Sequence, residues 1–347
     1  MQPQVNELPE LEGPVEGGAA AAGQVPGATD SFEPGPAAAA GPNAGEPSTQ
    51  IFDDGSRLYR FPDGRNASIP SADQHHQFST QQLAQRLGLS EGEASDRLRS
   101  LSTRLGPDGD RVLAEALATG RMNVGLAGIS GLGGGARSAE DLESTRVELG
   151  RLSGREVGVV LDNANGGLDA RRSNNNAEQQ ETLRRLLDFN RDAGITTNLS
   201  VHSNGVNALS EALRQSPDAR LGQVNLVDVN VSGNRATATE QLRRIVQASD
   251  RTSLVTTAYD AALGASRADS PIHTLIGAAA AAGVPHIRVL AGADHLLADV
   301  RRELERQGPS GPLDFRRDAT GQTVPVSPRT WSSLRFEMRD GRLIYRP

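Results

Sequence analysis

Cysteine is absent from the 347 residues, so no disulfide framework, thiolate nucleophile or Cys-ligated zinc is possible. No compartment follows from that. Lysine is absent too, and every side chain that is basic at neutral pH is Arg, apart from six His. A GC-rich genome depletes Lys codons and is the simpler account. Selection against ubiquitination, which modifies Lys, is the other; it would suit a bacterial effector exported into a eukaryotic cell. Aromatic residues make up only 3% of the chain. No apolar run approaches the ~20 residues of a membrane-spanning helix; the Ala-rich stretch 277–283 is too short and too weakly apolar. The start of the chain, Met1-Gln2-Pro3-Gln4-Val5-Asn6-Glu7, has neither a basic n-region nor an apolar h-region, which argues against a cleaved secretory signal. The expected location is the cytoplasm of the producing cell, or outside it by a route without a cleaved signal. The net charge of −7 lacks the basic excess that nucleic acid or an anionic membrane surface requires.

What is present divides into four stretches. Residues 1–50 are rich in Gly, Ala, Pro, Glu and Ser, with few large apolar residues, and read as a disordered arm that can tether a protein partner. Residues 51–120 hold a hairpin and a small helical segment. The hairpin pairs 57–61 with 66–69 around Pro62-Asp63-Gly64. Ser79-Thr80 and Ser90 are candidate helix N-caps, ahead of Leu83, Leu87, Leu98, Leu101 and Leu105. A helix-turn-helix is the alternative reading of 83–101, and the acidic balance favours a packing module. His75-His76 lie in a predicted loop and do not suggest a metal site.

From Met122 apolar runs alternate with amphipathic ones. Strands are expected at 123–129, 156–161, 196–201, 223–229, 253–257 and 286–290. Helices are expected at 139–152, 177–193, 207–219, 238–248 and 274–282, with Gly154, Gly194 and the turn Ser249-Asp250 as stops. Strands separated by helices imply crossovers, hence an α/β fold: a mostly parallel sheet with helices on both faces over 121–307. Residues 308–347 form a C-terminal β tail, with apolar alternation around Arg339-Asp340-Gly341.

Catalytic groups on such a sheet collect beyond the carboxyl ends of its strands. Ser203 follows one strand within Val201-His202-Ser203-Asn204-Gly205 and precedes a helix. Asp260 follows the strand ending at Thr257, and His295 follows the one ending at Leu290. A serine, an acid and a histidine so placed can form a triad, in which the imidazole takes the hydroxyl proton and the carboxylate orients the ring. The backbone N–H of Asn204 is one candidate oxyanion donor. The N–H of Ile129 or Ser130, in the glycine-rich loop 128–135, is the other.

Each assignment has a plainer alternative. Ser203 can be an N-cap, and so can Asp260, ahead of Ala261-Ala262-Leu263. Asp162 and Asp228 also end strands, and His273 and His286 compete with His295. Gly131-Leu132-Gly133-Gly134-Gly135-Ala136 meets a dinucleotide-binding pattern, with Asp162 ending the next strand.

On these residues, 122–297 resembles the α/β-hydrolase family, whose pattern is a nucleophile elbow, an acid after a later strand and a histidine after the last. The resemblance implies a serine esterase or lipase, needing no cofactor or metal and acting on a lipid or small acyl ester. His202 matches the Gly-His-Ser elbows of many lipases. Val201 and Val206 stand where the family favours small residues, which predicts a wider or strained turn. A hydrolase-like scaffold that has lost catalysis and binds a partner is the other reading of the same residues.

Overall fold

The structure is a computed structural model that describes residues 45–128, 139–162, 177–231, 234–257, 271–290, 296–307, 314–317, 323–325, 336–339 and 342–345. All of them fall within one compact unit, Ala37–Pro347.

Strands β1 (Ser48–Ile51), β2 (Arg57–Arg60) and β3 (Asn66–Ile69) form a small antiparallel sheet. The β2–β3 turn closes as the sequence predicts: Phe61 N–H donates to Arg65 C=O at 2.8 Å, and Gly64 takes φ +86°. Strand β1 was not foreseen. Its first three residues fall in the stretch expected to be disordered, and all four of its residues are exposed. Its pairing with β2 gives it order that its own composition does not.

Helices α1 (His75–Leu87), α2 (Glu91–Leu105) and α3 (Gly109–Thr119) follow. Ser90 caps α2 in a reciprocal box: its Oγ accepts from Glu93 N–H, and Glu93 Oε2 accepts from Ser90 N–H at 3.1 Å. Such a cap contributes ~1 kcal/mol. Ser79 and Thr80 are not caps, because α1 already starts at His75. His76 is held there by Asp110 (3.2 Å) and Ser95 Oγ (2.9 Å). Leu83, Leu98, Leu101 and Leu105 enter the main core, while Tyr59, Phe61, Ile69 and Ala114 form a second cluster under the small sheet.

The main sheet contains β4 (Arg121–Ala127), β5 (Val159–Asp162), β6 (Thr196–Ser203), β7 (Leu221–Val229), β8 (Ser249–Thr257) and β9 (His286–Leu290). They run parallel in the order β5-β4-β6-β7-β8-β9. Between them run α4 (Ala139–Ser153), α5 (Ala177–Asp192), α6 (Gly205–Gln215), α7 (Arg235–Ala248) and α8 (Pro271–Ala282), and α9 (Leu297–Gln307) follows β9. The α/β reading therefore holds. Gly154 and Gly194 follow α4 and α5 with φ of +68° and +66°, as C-terminal stops should. Ser249-Asp250 is not a turn: it opens β8, with Leu221 paired to Ser249.

Both faces of the sheet are covered. Leu149 of α4 lies against Gly125, whereas Leu183, Leu186 and Leu187 of α5 share a cluster with Val124 and Leu126. Adjacent strand residues point to opposite faces, so α4 and α5 lie on opposite sides. Helices α5 to α8 each touch the next on one side. On the other, α9 packs with α4, and Arg301 pairs with Glu148 at 2.6 Å. The tail is not a separate unit. Strand β10 (Asp314–Arg317) adds antiparallel to β9 and pairs with β11 (Thr323–Pro325), so it extends the main sheet. Only β12 (Phe336–Arg339) and β13 (Arg342–Tyr345) form the expected terminal hairpin, with β13 touching α8. Among the described residues no helix is long and apolar enough to cross a membrane.

Candidate active site at the end of the parallel sheet

Strand β4 has β5 on one side and β6 on the other, and the chain reaches them by helices on opposite faces. The winding reverses between the carboxyl ends of β4 and β6, the place where doubly wound sheets commonly hold ligands. Gly128 and Ser203 are the residues at that point.

Ser203 is the last residue of β6 and has φ +53°, a left-handed backbone that a non-glycine residue takes up at a cost. The register of β6 against β7 shifts between His202 and Ser203, so the strand bulges as it turns. Asn204 then has φ −69° and ψ −6°, and α6 starts at Gly205. Strand, strained residue and helix therefore follow without a connecting loop. Val201 and Val206 are fully buried in the core.

Two glycines permit this turn. A Cβ on Gly128 would lie 2.3 Å from the Asn204 backbone nitrogen and 2.9 Å from Ser203 Cβ. A Cβ on Gly205 would lie 2.9 Å from the Leu126 carbonyl oxygen. Both contacts involve backbone, which cannot swing aside. Gly128 N–H donates to His202 C=O at 3.0 Å, so it belongs to the sheet and is not an oxyanion donor. A second donor from this loop has to come from beyond Gly128.

The neighbouring strand end is also strained. Asp228, near the end of β7, has φ +43° and is completely buried. Its Oδ1 accepts from Thr256 Oγ1 at 3.0 Å, Thr257 N–H at 3.1 Å and Thr257 Oγ1 at 3.2 Å. Asp228 thus anchors the end of β8, from which the chain leaves towards Asp260. Asn230 N–H donates to Ser203 C=O at 3.0 Å and ties the β7 end to the elbow. On the other flank Gln179 Nε2 donates to Ala127 C=O (3.1 Å) and Leu161 C=O (2.6 Å), joining the ends of β4 and β5.

Of the residues the sequence singled out, Ser203 and Asn204 are at this switch point. Asp162 ends β5, half-buried, and Asp228 is committed as above. Ile129, Ser130, Asp260 and His295 lie outside the described residues, and so does the glycine run 131–136. His286 opens β9, at the opposite edge of the sheet, and His273 is in α8. Sequence reasoning missed Gln179, and took Gly128 only as the start of the glycine-rich loop, not as the point of close approach to Asn204. It noted Asp228 only as a rival acid. Gly128 carried a signal, as a glycine directly following an apolar strand; nothing in the sequence marks the left-handed backbone of Asp228. Among the described residues no cluster of three or more His, Asp or Glu could hold a metal ion.

No protein-family model matches this chain, and no curated protein or solved structure matches it either.

Proposed function

We propose that this chain is a serine hydrolase that cleaves an ester, from a lipid or a small acyl compound, through an acyl-enzyme on Ser203. The observation that carries the reading is the left-handed backbone of Ser203 in a turn that passes directly from strand to helix. That geometry lifts a hydroxyl clear of its own backbone at the rim of a parallel sheet. The strand order supports it as well. The carboxyl ends of β6, β8 and β9 share one edge of the sheet, and Ser203, Asp260 and His295 come at or after those three ends in the chain.

In the proposed mechanism His295 takes the proton from Ser203 as Oγ attacks the acyl carbon. The oxyanion accepts from the Asn204 N–H and from a second amide, that of Ile129 or Ser130. Loss of one such donor costs ~2.7–4 kcal/mol of transition-state stabilisation. As the bond to the leaving alcohol breaks, the imidazolium returns its proton to that oxygen. Water then attacks the acyl-enzyme by the same path in reverse. Asp260 orients the ring and stabilises its charged form.

Hydrolysis of p-nitrophenyl acyl esters tests this. The expected result is turnover that is lost in Ser203→Ala and His295→Asn. A folded wild-type protein that turns over none of these esters favours the binding scaffold instead.

A further inference from the structure

Helices α2 and α5 leave a groove between them, which Leu87, the last residue of α1, also lines. Its volume is about 420 Å³, within the range of roughly 300–1,000 Å³ that small-molecule sites occupy. The floor is apolar. Leu101 of α2 is buried, and Leu87 and Phe189 are half-buried against the main core. The groove lies away from Ser203: α5 ends at Asp192, beside the start of β6, whereas Ser203 is the last residue of that strand.

Four charged side chains line the groove as well, and they are not equivalent. Asp96 faces Arg99 at 3.6 Å, Asp192 pairs with Arg191 at 2.8 Å, and Arg185 gives its Nε to Glu181 at 2.5 Å. Each of these three charges has an opposite charge beside it. Arg97 has neither an ion pair nor a hydrogen bond among the described residues. Glu93, one turn earlier, is held by Ser90 in the helix cap, and Arg97 is the least of the influences on its carboxylate. Both terminal nitrogens of Arg185 are likewise unspent, since only its Nε donates. The groove therefore joins an apolar floor to one uncompensated positive charge and a second guanidinium with donors to spare. A guanidinium suits a carboxylate, which it can hold through two parallel hydrogen bonds.

We propose that this groove binds a monoanionic amphiphile, a medium-chain carboxylate. Its alkyl chain lies on Leu87, Leu101 and Phe189, and its carboxylate is held by Arg97 and Arg185. The assignment stands on the groove alone and does not need Ser203 to be a nucleophile.

Calorimetric titration of the full chain with octanoate, below its micelle concentration, tests this. A saturable site is expected, with affinity rising about two- to fourfold for each methylene added from hexanoate to decanoate, as burial of a CH2 requires. Octanol has the chain without the charge and should bind about fivefold more weakly, the most that an exposed ion pair commonly contributes. Arg97→Glu should weaken octanoate by about fivefold or more and leave octanol nearly unchanged. Ser100→Trp, at an exposed position that lines the groove, fills it and should abolish binding of both. Arg97 and Ser100 are exposed on α2, so both variants are expected to fold, and their unfolding midpoints check this. No saturable binding overturns the proposal, and so does octyltrimethylammonium binding as tightly as octanoate. Octanoate binding that survives both substitutions lies elsewhere, as a hydrolysis product at Ser203 would, and overturns this site while leaving the hydrolase reading standing.

Discussion

Gly128 and Asn204 approach so closely that a single methyl group on residue 128 would sit 2.3 Å from the amide nitrogen of residue 204. Two stretches of chain, the end of β4 and the turn out of β6, meet there backbone to backbone. Gly128→Ala must push them apart. The expected cost is about 1–3 kcal/mol, as for overpacking elsewhere in protein interiors. Gly158→Ala is the control, since its Cβ would meet nothing nearer than 3.5 Å and its φ is not in the left-handed region. Urea unfolding of the two variants should separate them clearly, and equal midpoints would contradict the close approach.

The backbone of Ser203 predicts an unusual ranking of two truncations. Ser203→Ala and Ser203→Gly both remove the hydroxyl, but only glycine takes φ +53° without a Cβ penalty. The glycine variant should therefore be the more stable by about 1 kcal/mol, against the usual preference for alanine. Thermal or denaturant midpoints check this. A more stable alanine variant would mean that the turn is not left-handed.

Asp228 holds the end of β8 through one oxygen. Asp228→Ala strips the acceptor from Thr256 Oγ1, Thr257 N–H and Thr257 Oγ1, all of them buried. A loss of about 1–3 kcal/mol is expected for donors left unpaired in this way. Asp228→Asn keeps an acceptor oxygen and should lose less. If Asp260 acts from the chain beyond β8, Asp228→Ala also slows turnover more than its stability loss explains, measured well below the melting temperature.

A pH dependence follows from His75, which is buried in the first turn of α1. Burial lowers its pKa from the ordinary 6.5, and Arg111 and Arg57 nearby lower it further, against a hydrogen bond that the ring donates to the Pro70 carbonyl and the charge of Glu115. The unfolded chain therefore binds a proton at His75 more readily than the folded one. The stabilisation is complete above the unfolded value of 6.5 and is lost as pH falls below it, through the lowered folded value. Unfolding midpoints between pH 7.5 and 5 should drop more steeply for wild type than for His75→Gln. Parallel curves would show that His75 does not contribute.

Much of this fold was legible because periodicity and helix stops agreed. The run Val157-Gly158-Val159-Val160-Leu161 announces a strand, and β5 is there, trimmed to Val159–Asp162; as the end strand of the sheet it is buried only at Val159 and Leu161, not on both faces as expected. Glycine ended α4 and α5 where expected. What stayed hidden depended on partners distant in sequence. Strand β1 has no apolar alternation of its own and is ordered by β2. Strand β10 joins β9 across the sheet edge, a choice its own residues do not state. Polar Ser249-Asp250 looks like a turn until Leu221 pairs with it. The candidate site divides in the same way. Ser203 was visible from a strand, a hydroxyl and a helix in succession. Gly128 and Asp228 matter through a tertiary contact and a backbone angle, which no spacing encodes.

The most direct measurement is reaction of the folded chain with a fluorophosphonate, followed by intact mass and peptide mapping. One adduct per chain, on the peptide that contains Ser203 and absent from Ser203→Ala, is the predicted result. Well-folded protein that takes up no adduct, or carries it on another serine, contradicts the account.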